Sequence, residues 1–370
     1  MKLLAGIVAA LGLVACSGAG LSTVPSSGTN ATAGAKPLIE LNRPACNGGR
    51  AGRVQCDVIV EGGGVFLGGS GYQGWGASDL QKAYNLPSST KGKGQTVALV
   101  DAYDNPNVAT DFAAYRSGMG LPAATLNKYN EYGIKGSYPS GSSSWGVEID
   151  LDVEMVSAIC PNCTVDLIEA QTDSWADMQT AEAEAVKLGA TIVSNSYTGA
   201  GGDPSYFDTP GILYVAASGD YGFGLYNPAS FSNVVAVGGT QLATATNSRG
   251  YTETAWPESS GGCSSTGIDK PKWQPPSSCK KLRLGNDVSA VALNVAEYDT
   301  YQEPGWIPVE GTSVGSPIIA ATFALAGNEA KELGGKTFWQ AAHQKDLNEV
   351  GGQRYSDQGG WGTPYGLGAF

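Results

Sequence analysis

The chain has 370 residues, and its hydrophobic fraction of 42% is enough to form a buried core. Acidic residues outnumber basic ones by 34 to 22, which gives a formal net charge of -12 and a pI near 4.6. This balance argues against nucleic acid or anionic lipid as a partner, because both require a basic face. His343 is the only histidine, which excludes a mechanism or a zinc site that needs two.

The N-terminus has the pattern of an export signal. Lys2 precedes an apolar run over residues 3–14, which suits a signal peptide and is too short to span a bilayer. The run ends at Leu13-Val14-Ala15-Cys16, which resembles a bacterial lipoprotein processing site; an ordinary signal peptide with an incidental cysteine is the alternative. We therefore predict a signal peptide over 1–15 and a flexible tether over 16–37, lipid-anchored through Cys16.

The other six cysteines fall into three sequence-local pairs, and we predict the disulfides Cys46–Cys56, Cys160–Cys163 and Cys263–Cys279. Sequence alone permits fifteen connectivities for six cysteines. The Cys160-Pro-Asn-Cys163 pair could instead be a redox motif or half of a zinc site, although the chain has no second such motif. Disulfides indicate an oxidising compartment, so we expect an exported protein, lipid-anchored at the bacterial cell envelope or released outside the cell.

Two regions follow the tether. Residues 38–76 are predicted to form an arm that contains the first disulfide, or a vestigial pro-region, and 77–370 are predicted to form one domain. In the domain, buried β-branched strands alternate with helices, which predicts a parallel sheet in an α/β fold. The predicted strands are 96–101, 164–169, 190–195, 212–217 and 234–238. The predicted helices are 77–84, 106–118, 146–160 and 174–188, and a further helix is predicted to start at Ser313. Asp101, Asn195 and Asp220 stand at carboxyl ends of strands, where functional residues collect.

Ser313 is a candidate nucleophile. The motif Gly311-Thr312-Ser313 comes directly before an apolar helix, so the hydroxyl would be exposed at a helix start that directs N–H groups toward it. A Thr-Ser pair that only caps a buried helix is the alternative. His343 has no orienting motif around it, so we expect any base to be a carboxylate.

Glu148 and Asp152 are the candidate carboxylates. Their i, i+4 spacing puts both on one face of a helix, where two like charges would share a proton or destabilise the helix. A solvated acidic face is the alternative, but the neighbouring residues of 147–156 are mostly apolar, which indicates a buried helix.

These motifs together resemble the serine-carboxyl peptidases, the sedolisins, which are acid-acting relatives of subtilisin. The resemblance extends from about Gly71 to Phe370. Within the family, the chain is similar to the bacterial secreted branch, which carries a cysteine pair like Cys160–Cys163. Besides the motifs above, it rests on Val100-Asp101-Ala102-Tyr103-Asp104-Asn105-Pro106, Tyr115-Arg116, Ser194-Asn195-Ser196-Tyr197, Ser218-Gly219-Asp220 and Val237-Gly238-Gly239-Thr240. It implies a subtilisin-like doubly wound α/β fold with a mainly parallel central sheet and helices on both faces.

The resemblance also implies roles for single residues. Ser313 would be the nucleophile, Glu148 its general base, and Asp152 would orient Glu148 and share its proton. Asp220 would be protonated and donate a hydrogen bond to the oxyanion, while Asp101 would extend the carboxylate network or serve as a structural turn acid. The implied function is a serine-type endopeptidase that cleaves polypeptides at acidic pH through an acyl-enzyme, and we expect a monomer.

The chain departs from the family pattern in three places. Glu310 stands before the Gly-Thr-Ser motif where a small residue is usual. The family's C-terminal calcium site is matched by Asp346 and Leu347, but its second aspartate corresponds only to a shifted Asp357, so calcium is an expectation. The family often has a long folded prosegment, which residues 17–70 cannot form, so the chain would fold unaided or lack that control.

Two other classes of protein stay open. One is a catalytically degenerate lipoprotein scaffold that binds peptide or glycan without cleaving it. Glu310 and the missing prosegment favour it, whereas the intact acidic pair, Ser313 and Asp220 oppose it. The other is a serine hydrolase acting on an ester or a glycan, which would require a GxSxG elbow and a later partner histidine; this combination is not evident.

Overall fold

The structure is a computed structural model that describes residues 42–46, 51–61, 71–328 and 334–370. These residues fall within one compact unit, Ile39–Phe370. The predicted signal peptide, the tether and Cys16 lie outside the described residues. None of the helices in the described stretches combines the length and apolar character needed to cross a bilayer.

The described residues form six α-helices and two short 3₁₀ turns. Two long helices begin at a serine whose hydroxyl accepts a backbone N–H of the first turn: Ser142 accepts from Trp145, and Ser174 accepts from Asp177. The helices are α1 (Ala77–Ala83), α2 (Val108–Gly118), α3 (Ser143–Ile159), α4 (Trp175–Lys187), α5 (Thr312–Ala326) and α6 (Ala341–Gln344), and the 3₁₀ turns are Pro204–Phe207 and Gly334–Trp339.

The strands fall into the arm, the central sheet and short peripheral pairs. The arm contains β1 (Arg43–Pro44), β2 (Gln55–Cys56) and β3 (Ile59–Val60). The following strands are β4 (Thr96–Ala102), β5 (Leu126–Asn130), β6 (Thr164–Ala170), β7 (Ile192–Asn195), β8 (Tyr197–Thr198), β9 (Leu213–Ala217), β10 (Val234–Thr244), β11 (Tyr251–Ala255) and β12 (Gly262–Cys263). The last are β13 (Leu284–Gly285), β14 (Val288–Val291), β15 (Val295–Asp299), β16 (Gly305–Glu310), β17 (Leu347–Asn348) and β18 (Thr363–Pro364).

The central sheet is mainly parallel, with the order β10-β9-β7-β4-β6-β5. β14 adds to β10 in parallel, and β11 adds to it antiparallel. From β4 the chain forms β5 and β6 on one side and then crosses to β7, β9 and β10 on the other side. The carboxyl ends of β4 and its neighbours therefore form the crevice of a doubly wound fold. α3 and α5 pack against each other and against the sheet, while α4 packs on β4 and β6. The predicted doubly wound α/β fold is confirmed.

Each predicted element is present with small shifts at its ends. α5 begins at Thr312, so Ser313 lies in the first turn, and its predicted place at a helix start is confirmed. β10 continues six residues past its predicted end, because its second half pairs with β11 as a hairpin. The three predicted disulfides are present.

Candidate active site

The candidate nucleophile and base lie on two buried helices, α5 and α3. Ser313 Oγ donates a hydrogen bond to Glu148 Oε2 over 3.0 Å, and it also contacts the Ser196 carbonyl oxygen at 3.2 Å. α3 and α5 pack directly against each other, which brings these two residues together although 165 positions separate them. Both side chains are fully buried. A serine hydroxyl donating to a carboxylate is the arrangement that general-base activation requires.

Asp152 reaches the same serine through an intermediate hydroxyl. Ser196, directly after β7, donates from its Oγ to Asp152 Oδ1 over 2.6 Å and also contacts the Ser313 carbonyl oxygen at 3.3 Å. Ser196 therefore links the second carboxylate to the backbone of the nucleophile. Ser196 belongs to one of the motifs that carry the family resemblance, and no role was predicted for it.

Asp101 completes a group of three buried carboxyl groups. It lies near the end of β4, and neither of its carboxyl oxygens has a hydrogen-bond partner in the described part of the chain. Burial raises the pKa of Asp101 to about 7. Burial, then Asp152, then Asp101 raise the pKa of Glu148 well above its ordinary value, and burial followed by Asp101 does the same for Asp152. All three carboxyl groups therefore bind their protons more tightly than exposed carboxyl groups do.

Asp220 lies at the N-terminus of α5, on the other side of Ser313. Its Oδ1 accepts hydrogen bonds from the Thr312 N–H and the Thr312 hydroxyl, each at 2.8 Å, and its Oδ2 is buried without a partner among the described residues. Burial raises the pKa of Asp220 to about 7, against the opposing effect of the two Thr312 hydrogen bonds. A protonated Oδ2 at this position is a hydrogen-bond donor in a dry site.

The arm contacts this site, and the sequence alone does not predict that contact. Its strand β2 pairs antiparallel with β8, and the carbonyl oxygen of the next residue, Asp57, accepts the Ser313 N–H at 3.2 Å. Asp57 is buried, and burial followed by the Asp220 charge raises the pKa of its carboxyl group well above its ordinary value. The only signal for this strand in the sequence is the short alternation of valines around Cys56, which does not identify a partner.

A second carboxyl cluster lies outside this site. Asp150 on α3, Asp111 on α2 and Asp299 on β15 each offer an oxygen within 4.8 Å of the others. Burial is the largest cause that raises the pKa of Asp150, and it raises that of Asp299 to about 7. α3 thus carries buried acids on two faces: Glu148 and Asp152 toward α5, and Asp150 and Glu154 toward α2 and β15.

The residues predicted to bind calcium have different neighbours. Asp346 Oδ2 lies beside Gly368, where a Cβ atom would stand 2.5 Å from it, whereas Asp357 Oδ2 lies beside Gly262, 3.2 Å from a Cβ atom there. Leu347 lies in β17, opposite Pro364. Calcium binding at these residues stays a prediction.

Glu310 and His343, the two other residues singled out in the sequence, each have a side-chain hydrogen-bond contact. Glu310, at the end of β16, is mostly buried and accepts a hydrogen bond from Asn42 of the arm at 2.9 Å. His343 lies on α6, where its Nδ1 is 3.0 Å from the Ala369 carbonyl oxygen. This contact is consistent with the expectation that the histidine does not serve as the base.

The chain is similar to known proteins over most of its length. A family model described as the subtilase family matches residues 140–362, which include Glu148, Asp152, Asp220 and Ser313. The chain is similar to sedolisin from Pseudomonas sp. (strain 101), with 23% identity over 351 residues, covering 80% of this chain. The chain spans about 60% of the length of this curated relative.

Solved structures show a common fold. Pseudomonas sedolisin, a serine-carboxyl proteinase complexed with two molecules of pseudo-iodotyrostatin, matches with a TM-score of 0.66 and 21% identity, over 80% of this chain and 96% of that chain. Fervidolysin from Fervidobacterium pennivorans, a keratinolytic enzyme related to subtilisin, matches with a TM-score of 0.53 and 14% identity, over 80% of this chain and 45% of that chain. The predicted subtilisin-like fold is therefore confirmed.

Proposed function

The chain belongs to the subtilase family, and on that premise we propose that it is a serine-type endopeptidase of the serine-carboxyl class. The observation that carries the proposal is the 3.0 Å hydrogen bond from Ser313 Oγ to Glu148 Oε2. With a carboxylate as the partner of the serine, the base is a group that works in acid rather than a histidine.

The proposed mechanism uses four side chains. Ser313 Oγ attacks the carbonyl carbon of a bound peptide as its proton passes to Glu148, and Asp152 shares that proton. The Ser313 N–H and the protonated Asp220 stabilise the oxyanion. Collapse of the intermediate expels the amine, which takes the proton from Glu148, and water then hydrolyses the acyl-enzyme by the reverse sequence.

The pKa of Asp220 sets the working range of this mechanism. With a pKa of about 7, Asp220 has its donor proton below that pH and loses it above. The carboxyl group of Glu148 accepts the serine proton only while it is ionised, and burial together with the charges of Asp152 and Asp101 raises its pKa, which limits the rate in strong acid. We therefore propose a maximum in moderate acid, above the range in which Glu148 is fully protonated and below about pH 7, where Asp220 loses its proton.

The proposed setting is the outside of a bacterial cell. The three disulfides suggest an extracytoplasmic protein, and the sequence of the first sixteen residues suggests a lipid anchor on Cys16. We propose polypeptides as substrates and a monomer as the working form. Calcium binding at Asp346, Leu347 and Asp357 is proposed only as a stability effect, with loss of thermal stability in chelator and recovery with calcium as its test.

Hydrolysis of unfolded casein between about pH 2.5 and 8 tests the activity, with the full chain and its Ser313→Ala variant compared after equal acid incubation. We expect cleavage with a maximum in acid for the wild type and none for the variant. A folded wild-type chain that cleaves nothing at any pH would contradict the proposal and favour a non-catalytic peptide-binding lipoprotein.

A further inference from the structure

The arm lies in the crevice as an extended peptide between two segments of the domain. On one side, β2 pairs antiparallel with β8. On the other side, the Val54 N–H donates to the Asp173 carbonyl oxygen at 2.8 Å, and the Trp175 N–H donates to the Gly52 carbonyl oxygen at 3.3 Å. Backbone pairing on both edges is a general way of holding an extended peptide whatever its side chains.

The Asp57 carbonyl group lies where an oxyanion would form. Its oxygen accepts the Ser313 N–H at 3.2 Å. A Cβ atom on Gly311 would stand 2.1 Å from that oxygen and 2.9 Å from Asp220 Oδ2, so the two oxygens are neighbours and only glycine fits between them. The carbonyl therefore faces both groups proposed to stabilise the oxyanion.

The side chain of Asp57 occupies a polar recess of its own. Its Oδ1 accepts hydrogen bonds from Thr198 Oγ1 at 3.0 Å and from the Tyr221 hydroxyl at 3.2 Å, and the residue is 3% exposed. Two hydroxyl donors that converge on one oxygen favour a side chain with an acceptor at that point. An apolar side chain would leave the buried Thr198 hydroxyl and the Tyr221 hydroxyl only their contact with each other, at 3.4 Å.

The chain after Asp57 is held as well. β3 pairs antiparallel with β16, with Ile59 opposite Glu310, and β1 pairs with β3 on its other edge. The Asn42 side chain donates to Glu310, the residue that departs from the family pattern. The peptide bond between Asp57 and Val58 is therefore fixed on both sides beside Ser313.

We propose that residues 52–60 occupy the substrate cleft of their own chain as a bound substrate does, with Asp57–Val58 as the bond that Ser313 cleaves. Thr198 and Tyr221 form the subsite for the side chain before that bond, and the preferred substrates are polypeptides with aspartate there. This inference deepens the proposed function and rests on it.

The step balances without a co-reactant other than water. Ser313 Oγ bonds to the Asp57 carbonyl carbon, and its proton passes to Glu148. The bond from that carbon to the Val58 nitrogen breaks, and the nitrogen takes the proton and becomes a free amino group. Water then releases Asp57 as a carboxylic acid and restores the serine hydroxyl.

Self-processing of the full chain is the first test. Wild type and Ser313→Ala are purified at neutral pH, moved to about pH 4, and followed by mass spectrometry of peptides and N-terminal sequencing. We expect a new N-terminus at Val58 in the wild type only, at a rate independent of protein concentration. Asp57→Lys should slow its appearance by at least about tenfold, whereas Asp57→Asn, which keeps an acceptor, should stay within about threefold.

Synthetic peptides test the subsite apart from folding of the arm. The processed wild type is given quenched peptides with the sequence of residues 54–60, alanine replacing Cys56, and aspartate or leucine at the position of Asp57. We expect kcat/KM for the aspartate peptide to be higher by at least about tenfold. In the double variant Thr198→Val, Tyr221→Phe, the ratio of kcat/KM for the aspartate peptide to that for the leucine peptide should fall to about one. Tyr226→Phe, which should keep the wild-type ratio, is the control, because Tyr226 packs edge-on against Tyr221 and has no hydrogen bond to Asp57.

The outcomes separate the inference from the proposed function. Casein hydrolysis that needs Ser313 while the Asp57–Val58 bond stays intact, or is cut at an equal rate in Asp57→Lys, overturns the inference alone. Absence of any hydrolysis that needs Ser313, of the arm or of casein, overturns both.

Discussion

Asp220 and Thr312 are joined by two hydrogen bonds that end on one oxygen. The Thr312 N–H and hydroxyl both donate to Asp220 Oδ1 at 2.8 Å, and the same hydroxyl accepts the Gly219 N–H at 3.1 Å. The donors therefore fix the orientation of the carboxyl group and direct Oδ2, which has no partner among the described residues, toward the crevice. An oxyanion donor fixed in advance needs no reorganisation during the reaction.

Two replacements of Asp220 should separate its role as a hydrogen-bond donor from the effect of its ionisation on activity. Asp220→Ala should lower kcat by about 100- to 1000-fold, the usual effect of losing one oxyanion donor. Asp220→Asn should keep Oδ1 on Thr312 and place an N–H where Oδ2 was, so the fall in activity above about pH 7 should disappear. Rates of casein hydrolysis between pH 3 and 9 check both. An unchanged alkaline limb in Asp220→Asn would remove Asp220 from the mechanism.

Glu148→Gln should abolish activity with little effect on folding. The amide is the same size as the acid but cannot accept a proton, and loss of a general base typically costs about 100- to 10,000-fold. Glu154→Gln is the matched control, because Glu154 lies on the same helix and accepts the Tyr298 N–H at 2.9 Å, away from Ser313. Steady-state kinetics at about pH 4 compare the two. Equal losses in both variants would indicate a helix defect rather than a missing base.

Gly311→Ala should inactivate the protein. Gly311 has φ +142°, and the new methyl group would meet the Asp57 carbonyl oxygen and Asp220 Oδ2. Gly94→Ala is the control for strain alone, since Gly94 has φ +85° and open space around it; it should cost about 1 kcal/mol of stability and spare activity. Thermal unfolding and casein hydrolysis are measured for both. Full activity in Gly311→Ala would show that the crevice is less crowded than this geometry indicates.

Stability should be greatest in acid and fall as pH rises from about 4 to 7. Asp101, Asp220 and Asp299 have folded-state pKa values raised to about 7, mainly by burial. In the unfolded chain these carboxyl groups ionise near pH 4, whereas in the folded chain they still hold their protons. Each rise of one pH unit between about 4 and 7 therefore lowers the free energy of unfolding. Melting temperatures of Ser313→Ala, which cannot digest itself, check the direction.

Asp299→Asn in the same background isolates one group. Asp299 faces Asp111 and Asp150, and its replacement removes one ionisation from that cluster. The decrease in melting temperature between about pH 4 and 7 should be smaller than in the parent. A melting temperature that rises with pH in the parent would contradict the raised pKa values.

The central fold could be predicted because its signals are local. The runs ending at Asp101 and Asn195 are short, apolar and β-branched, which indicates buried parallel strands whatever their partners. The i, i+4 spacing of Glu148 and Asp152 is likewise a property of one helix. Both signals depend on residues a few positions apart.

The contribution of the arm could not be predicted for the opposite reason. β2 and β3 have two residues each, too few for a periodic pattern, and they are fixed only by pairing with β8 and β16, far away in the chain. Asp57 in the sequence is one acid after a cysteine. Its proximity to Ser313 is a tertiary contact across 256 positions, given by its carbonyl bond to the Ser313 N–H.

The position of the first disulfide determines what self-processing would leave attached. Cys46 and Cys56 both precede Asp57, so their bond closes a loop entirely on the N-terminal side of the proposed cut. A chain cleaved after Asp57 would have no covalent link between the two pieces. Anchoring at Cys16 and cleavage at Val58 would together make a protease that stays on the cell surface while intact, and diffuses into the surroundings after a single turnover on itself.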